Sequence, residues 1–289
     1  MKPIREAIFG LIDITYHCGR NCVYCTRNDR HLGNLRYDMS RKKLIDALLS
    51  YRGFRGLIGI IGGEPLLHPD FAFTCGLIKL VYPDRMRMHL FTSIDPAKHK
   101  YSDLIQETFG HIAYHPHTKE QQASFYHQPL TIASRDAVKN EALRDALIDD
   151  CWVQRKWCPT ITNDGAFFCE VGASIAKLMG RKGWPVEDYW WLRNPCDFGD
   201  QKDFCQYCGM CIPMPRQKME NTVQMISPSY LELLRSKGCP TGEYELMDRE
   251  ITVQEMIDAQ PLWTPGVYKT EQLGEVGYPF STLDLRKYL

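Results

Sequence analysis

The chain has 289 residues, 44% of them hydrophobic, with 35 lysines and arginines balanced by 35 aspartates and glutamates. That length buries one or two sizeable cores, and a zero formal charge argues against nucleic acid, which calls for a basic surface. No apolar run reaches the roughly 20 residues of a membrane helix. No signal peptide or low-complexity run is visible, so a cytoplasmic protein is expected. Twelve cysteines in such a chain point to metal rather than to disulfides.

The first apolar run, Ile8 to Ile14, is short and rich in β-branched residues, as a buried first strand is. A few residues later come Cys18, Cys22 and Cys25, spaced C-x3-C-x2-C. Thiols placed there sit in a loop at the C-terminal edge of the strand, where α/β folds put their chemistry. Three thiolates can hold three irons of a [4Fe–4S] cube and leave the fourth iron open to a small molecule. A structural zinc takes four ligands, and the next cysteine is Cys75. Just beyond, Arg27, Arg30, His31 and Arg36 stand in a loop that either receives an anionic substrate group or is simply solvated.

Asp38 or Ser40 can cap a helix with Leu44, Ile45, Leu48 and Leu49 on one face. A second strand, Leu57 to Ile61, runs into Gly62-Gly63-Glu64-Pro65. Its glycines let backbone approach a ligand closely, and Glu64 offers a carboxylate to an ammonium. A helix follows from about Asp70 to Val81, with Cys75 in its core face and Pro83 as its stop. Met86, Met88 and Leu90 alternate into a third strand ending in Phe91-Thr92-Ser93. Gly110 to His117 and Leu130 to Ser134 read as fourth and fifth strands, and a helix from Arg135 to Asp150 closes this half. In a parallel sheet, Thr92, Ser93, His115 and His117 would share one rim with the thiols, as candidates for cofactor or substrate contacts.

After residue 150 the composition changes. Cys158 and Cys169 flank Asn163-Asp164-Gly165, a hairpin turn signal, so two paired strands would bring their thiols together. Cys196 follows, then Cys205, Cys208 and Cys211 as C-x2-C-x2-C, a metal signal in its own right, with zinc as the alternative metal. Trp184, Tyr189, Trp190 and Trp191 either stack on a ring of a ligand or pack around a metal centre. The remaining tail has one helical pattern, Val253, Met256 and Ile257, then many prolines and glycines from Pro261 to Pro279. Within it Cys239, between Gly238 and Pro240, is far in sequence from any second thiol.

The Cys18/Cys22/Cys25 spacing, with Tyr24 before the last thiol and GGEP downstream, resembles the radical S-adenosylmethionine (radical SAM) superfamily. The later cysteine, hairpin, cysteine and C-x2-C resemble the twitch form of its SPASM extension. The resemblance implies an α/β fold, a partial (β/α)6 TIM-like barrel over residues 1–150. It further implies a small twitch-like iron–sulfur domain over 151–215, with 216–289 as a tail covering the active site. Implied cofactors are a [4Fe–4S] cluster on Cys18, Cys22 and Cys25, S-adenosylmethionine, and a second [4Fe–4S] cluster. Tyr24, Gly62, Gly63, Glu64, Pro65, Thr92 and Ser93 are the expected cofactor contacts. Cys158, Cys169, Cys205 and Cys208 are the expected second ligand set, with Cys196 and Cys211 as alternatives.

Reduction of the bound cofactor would give a 5′-deoxyadenosyl radical that takes hydrogen from a substrate carbon. Size and cysteine layout are most similar to aminoglycoside-pathway members, so a sugar or aminocyclitol substrate is expected, near Arg27, His115 and His117. The partner would be a low-potential donor such as flavodoxin or ferredoxin. Redox-neutral epimerisation, with the Cys239 thiol as hydrogen donor, is the first expectation. Alcohol dehydrogenation with the second cluster as electron acceptor, or peptide modification, are alternatives. Peptide-modifying members need room for leader binding, and little is expected before Ile8. A purely electron-carrying or zinc protein would have no use for GGEP.

Overall fold

The computed structural model describes residues 3–116, 126–156, 159–215, 217–218, 223–260 and 283–289. Its strands are β1 (Phe9–Thr15), β2 (Leu57–Gly62), β3 (Met88–Thr92), β4 (His111–Tyr114), β5 (Tyr126–His127), β6 (Thr160–Thr162), β7 (Gly165–Phe167), β8 (Gln217–Lys218), β9 (Gln224–Ile226) and β10 (Tyr244–Leu246). Six of them form one sheet in the order β4-β3-β2-β1-β6-β7. The first five run parallel, and β7 returns antiparallel to β6. Two small two-stranded sheets, β5 with β8 and β9 with β10, lie outside it.

Alternation decides which side of the sheet each residue serves. Gly10, Ile12, Ile58, Ile60, Met88 and Leu90 align across β1, β2 and β3, on the face covered by the helices Arg41–Ser50 and Phe71–Val81. Gly10 is the point of closest approach, since a Cβ there would lie 2.4 Å from the Tyr51 ring, whose hydroxyl donates to the Leu11 carbonyl. On the other face Phe9, Leu11, Asp13, His89 and Phe91 form the inner wall. Ser40 caps the first of these helices, while Asp38 accepts from the Thr15 hydroxyl at 2.6 Å. Cys75 is buried in the second, as expected for a core thiol.

Two expected elements differ. Leu130–Ser134 forms no strand: it is a buried turn whose backbone is held by the Ser227 hydroxyl and amide and by the Gly209 amide, while the Thr131 hydroxyl donates to the Met225 carbonyl. The helix expected over Arg135 to Asp150 is broken into Ser134–Ala137 and Glu141–Asp149, and Asn140 caps the second piece. The sheet is therefore mixed α/β and mostly parallel. Its fifth and sixth strands come from the 160–167 hairpin, so the hairpin continues the main sheet beside β1. Among the described residues no helix is long and apolar enough to cross a membrane.

Candidate active site

The three closely spaced thiols leave β1 at its C-terminal end, half-buried in the 18–25 loop. Burial pushes the Cys18 thiol up to about 11, and negative charge on Asp29, Cys22 and Glu64 adds to it. Cys22 and Cys25 are raised for the same first reason, and Asp29 and Cys22 act on Cys25 as well. The loop thus holds three thiols that sense one another, and the pull of Arg20 and Arg30 on Cys22 does not outweigh burial. Metal binding, which displaces thiol protons, supplies the missing positive charge.

GGEP is fastened along this loop. Gly63 donates its amide to the Thr15 carbonyl at 2.7 Å and Glu64 to the His17 carbonyl at 2.8 Å, one residue before Cys18. A Cβ on Gly62 would lie 2.3 Å from the Thr15 oxygen, and one on Gly63 2.5 Å from the His17 oxygen. Both glycines are thus required by two backbone segments meeting, whether or not a ligand also approaches them. Pro65 opens a short 3-10 turn. The buried Glu64 carboxylate accepts from the Thr92 hydroxyl, the Ser93 amide and the Ser93 hydroxyl, each at 2.7 Å. Glu64, Thr92 and Ser93 are therefore one hydrogen-bonded unit across the ends of β2 and β3. Arg20, which the sequence reading passed over, reaches from the thiol loop to the Ser93 and Pro116 carbonyls, 3.3 Å each, and spans the rim.

Other candidates face elsewhere. His115 is half-buried at the end of β4, donating its amide to Thr92, and burial lowers its imidazole pKa. His117 lies outside the described residues. The Tyr24 ring is buried, its backbone is left-handed (φ 53°), and its hydroxyl accepts from the Met225 amide on β9 at 2.7 Å. Arg27 is neither solvated nor open to a substrate anion. Its guanidinium is buried between Asp13 at 2.8 Å and Glu170 at 2.6 Å. Burial lifts the Asp13 carboxyl to about 6 against the pull of Arg27.

Glu170 opens the helix Glu170–Met179, which starts directly after Cys169. Ser174 on this helix donates to the Thr26 carbonyl, and Asn28 donates to the Ser174 hydroxyl at 2.7 Å. The Tyr230 hydroxyl donates to the Asn28 side-chain oxygen at 2.7 Å. Burial carries Tyr230 well above the ordinary tyrosine range, and charge on Cys208, Cys239 and Cys25 adds to it. Cys239 is not a loose tail residue: its amide is held by the Leu234 carbonyl at the end of the helix Pro228–Ser236, and its thiol is buried. Pro240 beside it accepts from His31 Nδ1 at 2.7 Å, tying this segment to the thiol loop.

A second thiol group surrounds an enclosed, almost wholly apolar cavity. Cys151, Cys169, Cys205, Cys208 and Cys211 line it, with Phe168, Phe204 and Met210 among their neighbours. Burial pushes Cys169 up to about 12 and raises Cys208 and Cys211 well above the ordinary thiol range, and Cys151 is the largest charged influence on each. Cys151, just past the helix Glu141–Asp149, belongs to none of the sequence motifs. Cys196 is exposed and outside the cavity, and Cys158 lies outside the described residues. Trp190 and Trp191 pack on Tyr51 and Phe54 rather than around these thiols. Phe168, Phe198 and Phe204 do that instead.

Among the described residues no three His, Cys, Asp or Glu side chains converge as tightly as a single metal ion requires. Thiols around a cube stand farther apart, because irons and sulfides lie between them. The donor chemistry fits such a group twice: three sulfurs at a strand end, and five around an apolar pocket.

A scan against protein-family models finds no match, and a search of curated protein sequences finds none either. Among solved structures the fold is similar to BtrN in complex with AdoMet and 2-DOIA, with a TM-score of 0.38, 14% identity, and coverage of 70% of this chain and 92% of that chain. Selenomethionine BtrN in an open conformation gives a TM-score of 0.39 and 14% identity over 70% of this chain and 86% of that one. A likeness of this size says nothing about what this chain binds or does.

Proposed function

We propose that the protein is a radical SAM enzyme that abstracts hydrogen from a carbon of a small sugar or aminocyclitol. The observation that carries this is the backbone lock between GGEP and the C-x3-C-x2-C loop, which sets Glu64, Thr92 and Ser93 beside Cys18. When bound on Cys18, Cys22 and Cys25, a [4Fe–4S] cluster and S-adenosylmethionine would supply the radical chemistry. The chain's part is to orient the cofactor with the Glu64 unit, to line the rim with Arg20 and His115, and to keep water out. A second [4Fe–4S] cluster fits the five-thiol cavity, with Cys151, Cys169, Cys208 and Cys211 as its ligands and Cys205 beside them.

For the fate of the substrate radical, epimerisation with Cys239 as hydrogen donor is supported by the His31–Pro240 hydrogen bond, which ties the Cys239 segment to the thiol loop. Dehydrogenation is supported by the second thiol group, which offers an electron acceptor. The test is anaerobic. Wild type should hold about eight irons and convert S-adenosylmethionine to 5′-deoxyadenosine on reduction, and Cys22→Ala should hold about four and lose the conversion. Retained cleavage in Cys22→Ala overturns the assignment. In deuterium oxide with aminoglycoside precursors, an epimerase places one deuterium at an inverted carbon and loses that product in Cys239→Ala. A ketone unaffected by Cys239→Ala makes the protein a dehydrogenase.

A further inference from the structure

Behind the five-thiol cavity the surface opens into a groove of about 730 Å³. Its wall carries Arg135, Arg144, Arg181 and Lys237, and its floor includes Gln206 and Tyr207. Those two residues lie between Cys205 and Cys208, which line the cavity on the inner side. One short stretch of chain therefore has thiols on one side and a solvent-facing groove on the other.

The charge of the groove is uneven. Arg144 has Glu141 at 3.4 Å, and Arg181 has Asp203 at 3.5 Å. Arg135 instead donates to the Tyr207 hydroxyl at 3.0 Å and lies over its ring. Among the described residues neither Arg135 nor Lys237 takes part in an ion pair, so the groove is cationic on a chain of zero formal charge. An aromatic ring framed by cations, in contact with a thiol-bearing backbone, suits an encounter that needs charge steering and a short path rather than a large buried area.

We propose that this groove docks an acidic one-electron carrier protein, which delivers electrons through the Cys205–Cys208 segment. The proposal rests on the second cluster in the function proposed above. The step is an outer-sphere transfer: the reduced carrier loses one electron, the cluster gains it, and no bond or proton changes place. Arg135 and Lys237 steer the encounter, and Tyr207 closes the gap.

The test uses the anaerobic, cluster-loaded full chain, with photoreduced flavodoxin as the carrier and dithionite as a small reductant. Arg135→Glu combined with Lys237→Glu should lower the second-order rate of reduction by flavodoxin about tenfold or more at low salt, and flatten its salt dependence. Arg135→Gln with Lys237→Gln should fall between. Reduction by dithionite should stay within about twofold, as expected when only protein docking is steered. A wild-type flavodoxin rate and salt slope in the charge-reversed protein overturns the docking site. A loss shared equally with dithionite overturns it too, since the cluster itself is then impaired. An isolated protein without iron overturns both this proposal and the function it rests on. Eight irons and intact cofactor cleavage with charge-blind flavodoxin reduction overturn the docking site alone.

Discussion

The two thiol groups are built in opposite ways. The first is local: three cysteines within eight residues, hung on the end of β1 and clamped by the neighbouring strand's GGEP. The second is assembled from separate pieces: Cys151 just past the helix Glu141–Asp149, Cys169 at the start of the helix Glu170–Met179, Cys205 in the 3-10 helix Pro195–Tyr207, and Cys208 and Cys211 just after it. A local site survives as long as its loop does. A dispersed site holds only while several elements keep their packing, and here one helix does much of that. Glu170–Met179 starts at the second group and reaches the first through Glu170 and Ser174.

The sharpest way to break this comparison is at Cys151. Cys151→Ala should remove one cluster, about four of eight irons, and leave Cys18, Cys22 and Cys25 able to support cofactor cleavage. Cys196→Ala should keep all the iron. Iron and sulfide analysis with electron paramagnetic resonance decides it. Full iron in Cys151→Ala would return the ligand role to Cys205 or Cys158.

A smaller effect is expected at the joint between the two groups. Arg27→Met leaves Asp13 and Glu170 buried without their cation, and removal of one partner from such a pair costs about 3–5 kcal/mol. Urea unfolding should show that loss, whereas Arg193→Met, at an exposed pair with Glu187, should cost under about 1 kcal/mol. Equal losses at both sites would mean that the joint carries no special weight.

The smallest effect is a pH dependence. His31, between Pro240 and Gln224, is lowered to about 4 by burial, and His89 to about 3. An unfolded histidine takes up its proton near pH 6.5, but these two stay neutral in the fold. The unfolded chain therefore binds more protons as pH falls through 6.5, and stability drops down to about pH 4. The raised Asp13 and Asp29 work the other way, from about 4 up to about 6 and about 7, and offset most of that loss. Melting temperature measured from pH 7 to pH 5 should therefore decline by at most about a few degrees for the wild type. It should decline less in His89→Phe. An unchanged slope in that variant would show that His89 does not contribute.

The sequence by itself determined what depends on near neighbours. The first strand, the thiol loop after it, GGEP at the end of β2 and the hairpin at Asn163-Asp164 each rest on short-range pattern, and each forms where the pattern lies. Tertiary structure decided everything that depends on which distant segments meet. Leu130–Ser134 has strand-like residues but finds no partner strand, because β6 takes the place beside β1 and Ser227 and Gly209 bind the turn's backbone instead. Arg27 looked like a loop cation, and only the fold shows Asp13 and Glu170 closing on it. Cys151 carries no motif of its own: its spacing to Cys169 crosses a helix and a hairpin, and no local rule relates them. Buried apolar packing brought those thiols to one cavity, and packing is a property of the whole chain rather than of any window of it.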